Sequence, residues 1–303
     1  MILVVCANPS VDKWVWVDRF KTGRVNRARR VDRFPGGKGV HVALAASELG
    51  EPVILLGIWA GPAGRWVREE VTARGVRRIL GPETEGWTRS CLTLLGAGAE
   101  TELLEPGPTV DAGAASQFET AFREALPDAD VVVLSGSLPP RLDDGTYERF
   151  IRATRASGIP TILDSSGQAF SAGLDAGPTW AKGNRDEVAG ALGMEVRSEA
   201  LLEQLCRKAD SAVVTLGPDG ALFAAGDERL KAKGQVEEVV SAVGSGDCMT
   251  AGMAVAMRRG LNLPDLARLA TACALANCVH PELGILRKRD VDAMLSQVHI
   301  REL

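Results

Sequence analysis

Histidine is nearly absent. Only His41, His280 and His299 occur in 303 residues, so a zinc site is poorly supplied. The cysteines, at 6, 91, 206, 248, 273 and 278, form no CxxC pair and mostly fall inside apolar stretches. They read as reduced, buried thiols of a cytoplasmic protein. No apolar run approaches transmembrane length, so no membrane role is expected. The start, Met1 to Ala7, lacks a basic n-region and runs into Asn8-Pro9-Ser10; it reads as a first strand and not as a signal peptide. A net charge of −4 with scattered basic residues gives no support for a nucleic-acid partner. Two nucleotide fingerprints are missing as well. There is no G-x-x-x-x-G-K-[ST] phosphate loop. Nor is the first strand followed by the G-x-G-x-x-G of dinucleotide-binding folds, which undercuts an oxidoreductase.

What is present is ordinary globular material, 46% hydrophobic and 24% charged, in a chain long enough for one large core. Apolar runs at Ile2 to Ala7, Val53 to Ile58, Val131 to Ser135, Thr161 to Asp164, Ala212 to Leu216 and Ala221 to Ala225 read as strands. Between and after them, helical spacing marks Val40 to Leu49, Gly64 to Arg74, Ala112 to Leu126, Thr146 to Ser157 and Ser198 to Lys208. Asp247 to Arg259, Pro264 to Cys278 and Asp290 to Gln297 follow. That alternation predicts an α/β fold, a doubly wound parallel sheet with helices on both faces. Val11 to Asp18, Val31 to Phe34 and a hairpin of Ser90 to Leu95 with Glu102 to Glu105 alternate apolar and polar residues. They predict a small sheet standing off the main body. No repeat or composition break divides residues 1–303, so one domain is expected, with a β lid from about 11–34 and 88–105.

Two glycine-rich loops each open a helix: Gly36-Gly-Lys-Gly39 and Gly244-Ser-Gly-Asp247. Glycines let several N–H groups converge, and a helix N-terminus favours an anion such as phosphate. Asp247 in that place is either a helix cap or a base that takes a proton from a hydroxyl.

The loops and their order resemble the ribokinase-like (PfkB) family of sugar kinases over nearly the whole chain. Asn8-Pro-Ser-Val-Asp12, Pro35 to Ala43, Leu134 to Pro140, Asp164-Ser-Ser-Gly167, Lys182 to Glu187, Thr215 to Ala221 and the Asp247 loop all have counterparts there. Gly-Gly-Lys-Gly, Val25-Asn-Arg27 and Thr88-Arg89 bring the chain nearest to the 1-phosphofructokinase and tagatose-6-phosphate kinase branch. The resemblance implies a small-molecule phosphosugar substrate, with ATP and Mg2+ as cofactors. It implies Asp247 as base, with Gly244, Ser245 and Gly246 as anion hole. Asp12, Gly37, His41 and Ser137 would meet the sugar, and Lys38, Arg27 and Arg89 its phosphate. Lys182, Asn184, Thr215, Gly217, Gly220 and Asn277 would meet the nucleotide. Asn184 and Glu187 would act on Mg2+ through water; their spacing is equally that of a capping box, and both can hold. His41 departs from the family's asparagine, and Gly183 from its proline. Ser90-Cys91 replaces the more polar pair that often follows Thr-Arg. Cys248 is read as a small helix residue.

The expected reaction is fructose 1-phosphate plus ATP, with tagatose 6-phosphate, fructose 6-phosphate or a non-catalytic sugar-phosphate sensor as alternatives. Trp14 and Trp16 share one face of the lid strand. That face is expected to bury against a second lid in a homodimer, with packing on the chain's own core as the alternative.

Overall fold

Strand-forming and helix-forming segments alternate along most of the chain, and a computed structural model, which describes residues 1–96, 99–194 and 196–303, turns that alternation into layers. The first half runs β1 (Ile2–Cys6), β2 (Ser10–Trp16), β3 (Arg30–Gly36), α1 (Lys38–Glu48), β4 (Val53–Gly57), β5 (Trp59–Ala60), α2 (Gly61–Ala73), β6 (Arg78–Leu80) and β7 (Glu83–Thr84). Next come β8 (Arg89–Gly96), β9 (Ala99–Leu104), α3 (Ala112–Ala125), β10 (Val131–Ser135), α4 (Thr146–Ala156), β11 (Thr161–Asp164), α5 (Gly167–Asp175), β12 (Trp180–Asn184) and α6 (Arg185–Leu192). The chain ends with α7 (Ser198–Cys206), β13 (Ser211–Thr215), β14 (Ala221–Ala225), β15 (Glu228–Lys233), α8 (Ser245–Arg258), α9 (Leu263–Cys278), α10 (Lys288–Met294) and β16 (His299–Glu302).

Ten strands form one sheet in the order β16-β15-β14-β13-β12-β11-β10-β1-β4-β6. From β13 to β6 every pairing is parallel; β14, β15 and β16 add an antiparallel margin. A parallel sheet is covered on both faces, which is why β1 is apolar and buried at every position. Ile2 and Val4 point into a core built with α1, α8 and α9. Leu3 and Val5 point the other way, into a core with α3, α4 and α7. β1 lies between β4 and β10, so the chain builds first to one side and later to the other. Such a reversal opens a crevice beyond the C-terminal ends of the strands.

The predicted stand-off sheet forms in the order β3-β2-β8-β9, with β2 and β8 parallel. The turn expected between its last two strands falls on Ala97 and Gly98, outside the described residues. Asp12, Trp14 and Trp16 alternate onto one face of β2. Trp14 is buried and packs edge-on against Trp16 and Phe34, with ring centroids 5.7 and 6.0 Å away. The chain itself therefore covers Trp14, the alternative weighed for the tryptophan face, while Trp16 stays partly exposed. Both rings line a cavity of about 1120 Å³ together with Val239, Val240 and Glu282.

Candidate active site

Two strand ends and two helix starts meet in the crevice. Asp164 closes β11, Lys182 lies near the end of β12, Lys38 opens α1, and Thr250 sits in the second turn of α8. Asp164 has no exposed surface. It accepts from Lys38 Nζ at 3.0 Å on one oxygen, and from Lys182 Nζ at 3.0 Å and Thr250 Oγ1 at 2.7 Å on the other. Burial alone would raise its pKa; the two ammonium groups and the threonine hydrogen bond outweigh that and hold it below the usual carboxylate range. Lys38 also lies 3.7 Å from Glu187 Oε1 and 3.9 Å from Asp247 Oδ1. Burial would lower its pKa, but Asp164, Asp247 and Glu187 hold it above the ordinary lysine value.

Helix α8 starts at Ser245, two residues before the predicted start, because Gly244 turns the chain with a φ of 83°. A Cβ there would lie 2.3 Å from the Gly284 nitrogen, so the close approach and the positive φ both require glycine. No side chain caps this helix. Asp247 therefore does not act as a cap, the alternative weighed for it: its Oδ2 lies 2.8 Å from His41 Nδ1. Ser245 N–H donates to Ala242 O, whereas Gly246 N–H has no backbone partner among the described residues. Gly244 N–H likewise has none, so of the predicted anion-hole residues both glycines keep open donors at a helix N-terminus.

Gly37 precedes α1 as its N-cap residue, and one turn later His41 is buried beside Asp247. Its Nε2 lies 3.2 Å from Asp12 Oδ2, close enough for charge pairing but off the line of a hydrogen bond. Asp12 Oδ1 accepts from Ser10 Oγ at 2.6 Å. The ring packs closely against Gly284, where a Cβ would sit 2.1 Å from His41 Cγ.

Arg89 and Ser137 line a second cavity of about 670 Å³ with Arg141. Buried Thr88 accepts from Ala60 N–H and so fixes the start of β8. Arg89 Nε donates to Asn8 O at 3.2 Å, and Asn8 Nδ2 donates to Ser137 Oγ at 3.3 Å. Arg27 is not brought here. It is exposed in the connection from β2 to β3 and makes no ion pair or side-chain hydrogen bond with a described residue. Lys38, also expected at the sugar's phosphate, is committed to carboxylates instead.

On the other flank, Asn184 and Glu187 form the capping box of α6 with both bonds at 2.8 Å. The cap uses Oε2 of Glu187, while Oε1 faces Lys38. A hydrated magnesium ion carried on substrate phosphates needs only one or two protein oxygens, and this half-committed carboxylate fits that demand. Asn184, Thr215 and Gly217 line a cavity of about 430 Å³, and Gly220 follows in the same turn. Lys182 lies apart from it, buried against Asp164. Asn277 donates to Ile285 O at 2.9 Å and so braces the segment that carries Gly284; its Oδ1 is buried without a partner.

Asp164, Thr250 and Gly284 were not foreseen as site residues. Asp164 stood in a recognised motif without an assigned role. Thr250 and Gly284 carried no signal beyond small size.

Residues 6–286 match the model for the pfkB family carbohydrate kinase. A tagatose-6-phosphate kinase from Staphylococcus epidermidis is 31% identical over 311 residues, covering 100% of both chains. Among solved structures, a point mutant of the phosphofructokinase-2 from Escherichia coli superposes with a TM-score of 0.90 at 25% identity, over 97% of this chain and 98% of that one. A possible 1-phosphofructokinase from Thermotoga maritima gives a TM-score of 0.90 at 24% identity, over 100% and 99% of the two chains, a likeness of fold.

Proposed function

This chain belongs to the pfkB family of carbohydrate kinases, and we propose that it is a phosphosugar kinase that converts fructose 1-phosphate and ATP to fructose 1,6-bisphosphate and ADP. The observation that carries this reading is the placement of Asp247. Its carboxylate stands at an uncapped helix start, with the open Gly246 N–H on one side and Asp12 across His41 on the other. Kinases of the family use ATP, typically with a divalent metal. When bound, that ion neutralises phosphoryl oxygens, and Glu187 with Asn184 would hold it through water.

In the reaction, the C6 oxygen forms a bond to the γ-phosphorus while the bond from that phosphorus to the ADP oxygen breaks. Asp247 takes the hydroxyl proton. Gly246 N–H, at the positive end of α8, stabilises charge on the transferring group, and the work is mostly positioning and electrostatics. Arg89 and Ser137, which line the second cavity, would hold the phosphate already on the sugar. Thr215, Gly217 and Gly220 would seat the nucleotide beside Asn184. The cysteines are all free thiols, which agrees with a cytoplasmic setting.

Full-length similarity to a tagatose-6-phosphate kinase makes that sugar the second reading. ADP release measured across fructose 1-phosphate, tagatose 6-phosphate, fructose 6-phosphate and unphosphorylated sugars separates the two. Tight phosphosugar binding with no ADP from any of them would instead support a sensor. Asp247→Asn is expected to lose turnover by roughly 10²–10⁴-fold while still binding ATP; turnover near wild type would falsify the base assignment.

A further inference from the structure

Both ring nitrogens of His41 face carboxylates carried by different parts of the molecule. Nδ1 lies 2.8 Å from Asp247 Oδ2 on α8, and Nε2 lies 3.2 Å from Asp12 Oδ2 on β2. An ionised carboxylate is acceptor-only, and only a doubly protonated imidazole donates from both ends. A neutral ring would leave one nitrogen lone pair against a carboxylate, buried from water. An asparagine in the same place would offer one amide nitrogen and one carbonyl, and the carbonyl would meet a carboxylate. Other charge nearby is limited. Lys38, on the same helix as His41, approaches the opposite oxygen of Asp247 at 3.9 Å. The Gly284 segment against the ring brings Glu282, which is paired to Arg74 at 2.7 Å.

We propose that His41 is a positioning residue: as an imidazolium it donates to Oδ2 of Asp247 and pairs with Oδ2 of Asp12, so that Oδ1 of Asp247 is the oxygen presented to the acceptor hydroxyl. The proposal rests on the reading of Asp247 as base. It ties that base to the small sheet, because the same ring holds Asp12 on β2. Gly284 is part of the device: it packs against the ring and also against Gly244, so the histidine, the loop and the helix start are in contact. The ring's protonation agrees with its surroundings. Burial would lower its pKa, but the carboxylates of Asp12 and Asp247 push it up to about 10.

Two measurements test this. Imidazole nitrogen-15 spectra of the whole chain contain only three histidines, and the signal lost in His41→Asn assigns the one that matters. Both ring nitrogens of His41 are expected to be protonated at neutral pH and to lose a proton only as pH rises toward about 10. A neutral tautomer at neutral pH overturns the proposal; should His41→Asn fail to fold, His280→Gln and His299→Gln assign the other two signals and leave that of His41. In steady-state kinetics, His41→Asn is expected to lower kcat roughly 10- to 100-fold, leave the KM for ATP unchanged and abolish the alkaline decline of kcat that accompanies loss of the ring proton. Unchanged kcat, or a lower kcat that keeps the same alkaline limb, also overturns it. Asp247→Asn keeps the two readings apart: full turnover there removes the base assignment, whereas the ring spectrum judges the clamp by itself.

Discussion

Asp164 has no exposed surface, yet it carries the charge that makes two lysines tolerable inside the protein. Lys182 is almost wholly buried, and its only charge partner among the described residues is this carboxylate, at 3.0 Å. Asp164→Asn would leave Lys38 and Lys182 near each other with an amide between them. Removing one partner of a buried pair typically costs about 3–5 kcal/mol, so the midpoint of urea unfolding should fall by a corresponding amount. A loss under about 1 kcal/mol, the range of exposed pairs, would show that the cluster is not held by charge. The pH dependence has a definite sign. The folded pKa lies below the unfolded value near 3.9, so the stabilisation is complete above about pH 4 and is lost as pH falls below it. The Asn variant should lack that acid loss. Little of this was legible beforehand. Positions 38, 164 and 182 are far apart in sequence, and nothing local says that their charges share one point. Asp247 and Asp12 were legible because each stands in a local motif. His41 was noticed only as a departure, and its two carboxylate partners come from the fold.

At the scale of elements, the capping box of α6 performs two tasks that one substitution can separate. Glutamine at the third helical position reaches back to the N-cap nitrogen as glutamate does, so Glu187→Gln should keep α6 and shift stability by no more than about 0.5 kcal/mol. It removes the negative oxygen 3.7 Å from Lys38, the one proposed to meet the metal that accompanies ATP. The magnesium concentration for half-maximal rate should therefore rise while the melting curve stays in place. An unchanged magnesium dependence would remove Glu187 from the metal's surroundings and leave it as a cap. Elements with strong periodicity, such as β1, β10, α8 and α9, were legible from sequence. β12 was not, because Trp-Ala-Lys-Gly-Asn holds a lysine and a glycine in a buried central strand, and the lysine is stable there only through Asp164. α5 was missed because Gly-Gln-Ala-Phe-Ser-Ala-Gly-Leu-Asp carries glycines and little apolar period, and of α6 only the capping box was read. β15 was missed because Glu-Arg-Leu-Lys-Ala-Lys reads as polar outside the sheet's margin.

For the molecule as a whole, the open question is what the small sheet rests against. Its Asp12 face is accounted for: Trp14 is buried by its own neighbours and looks into the cavity shared with Val239 and Glu282. The opposite face carries Val15 and Val31 paired across β2 and β3, Leu94 beside Val15, and Leu92 paired with Leu103. Val15, Val31, Leu92 and Leu94 are only half-buried, and Leu103 is 61% exposed. A run of aliphatic side chains left this open on a sheet face is the kind of surface that a second copy covers. The sheet's edge is an unsuitable contact, since β9 presents Glu100 and Glu102 there. The homodimer proposal therefore moves from the tryptophans to the aliphatic face behind them. At micromolar concentration, sedimentation should give a dimer, and Leu103→Glu should shift it to monomer while Trp16→Ala does not. A wild-type monomer would sink the proposal, and a dimer that survives Leu103→Glu would place its interface elsewhere. Because Asp12 is on the same strands as Val15, the covered face would also steady the carboxylate that His41 holds, joining assembly to the geometry of the site.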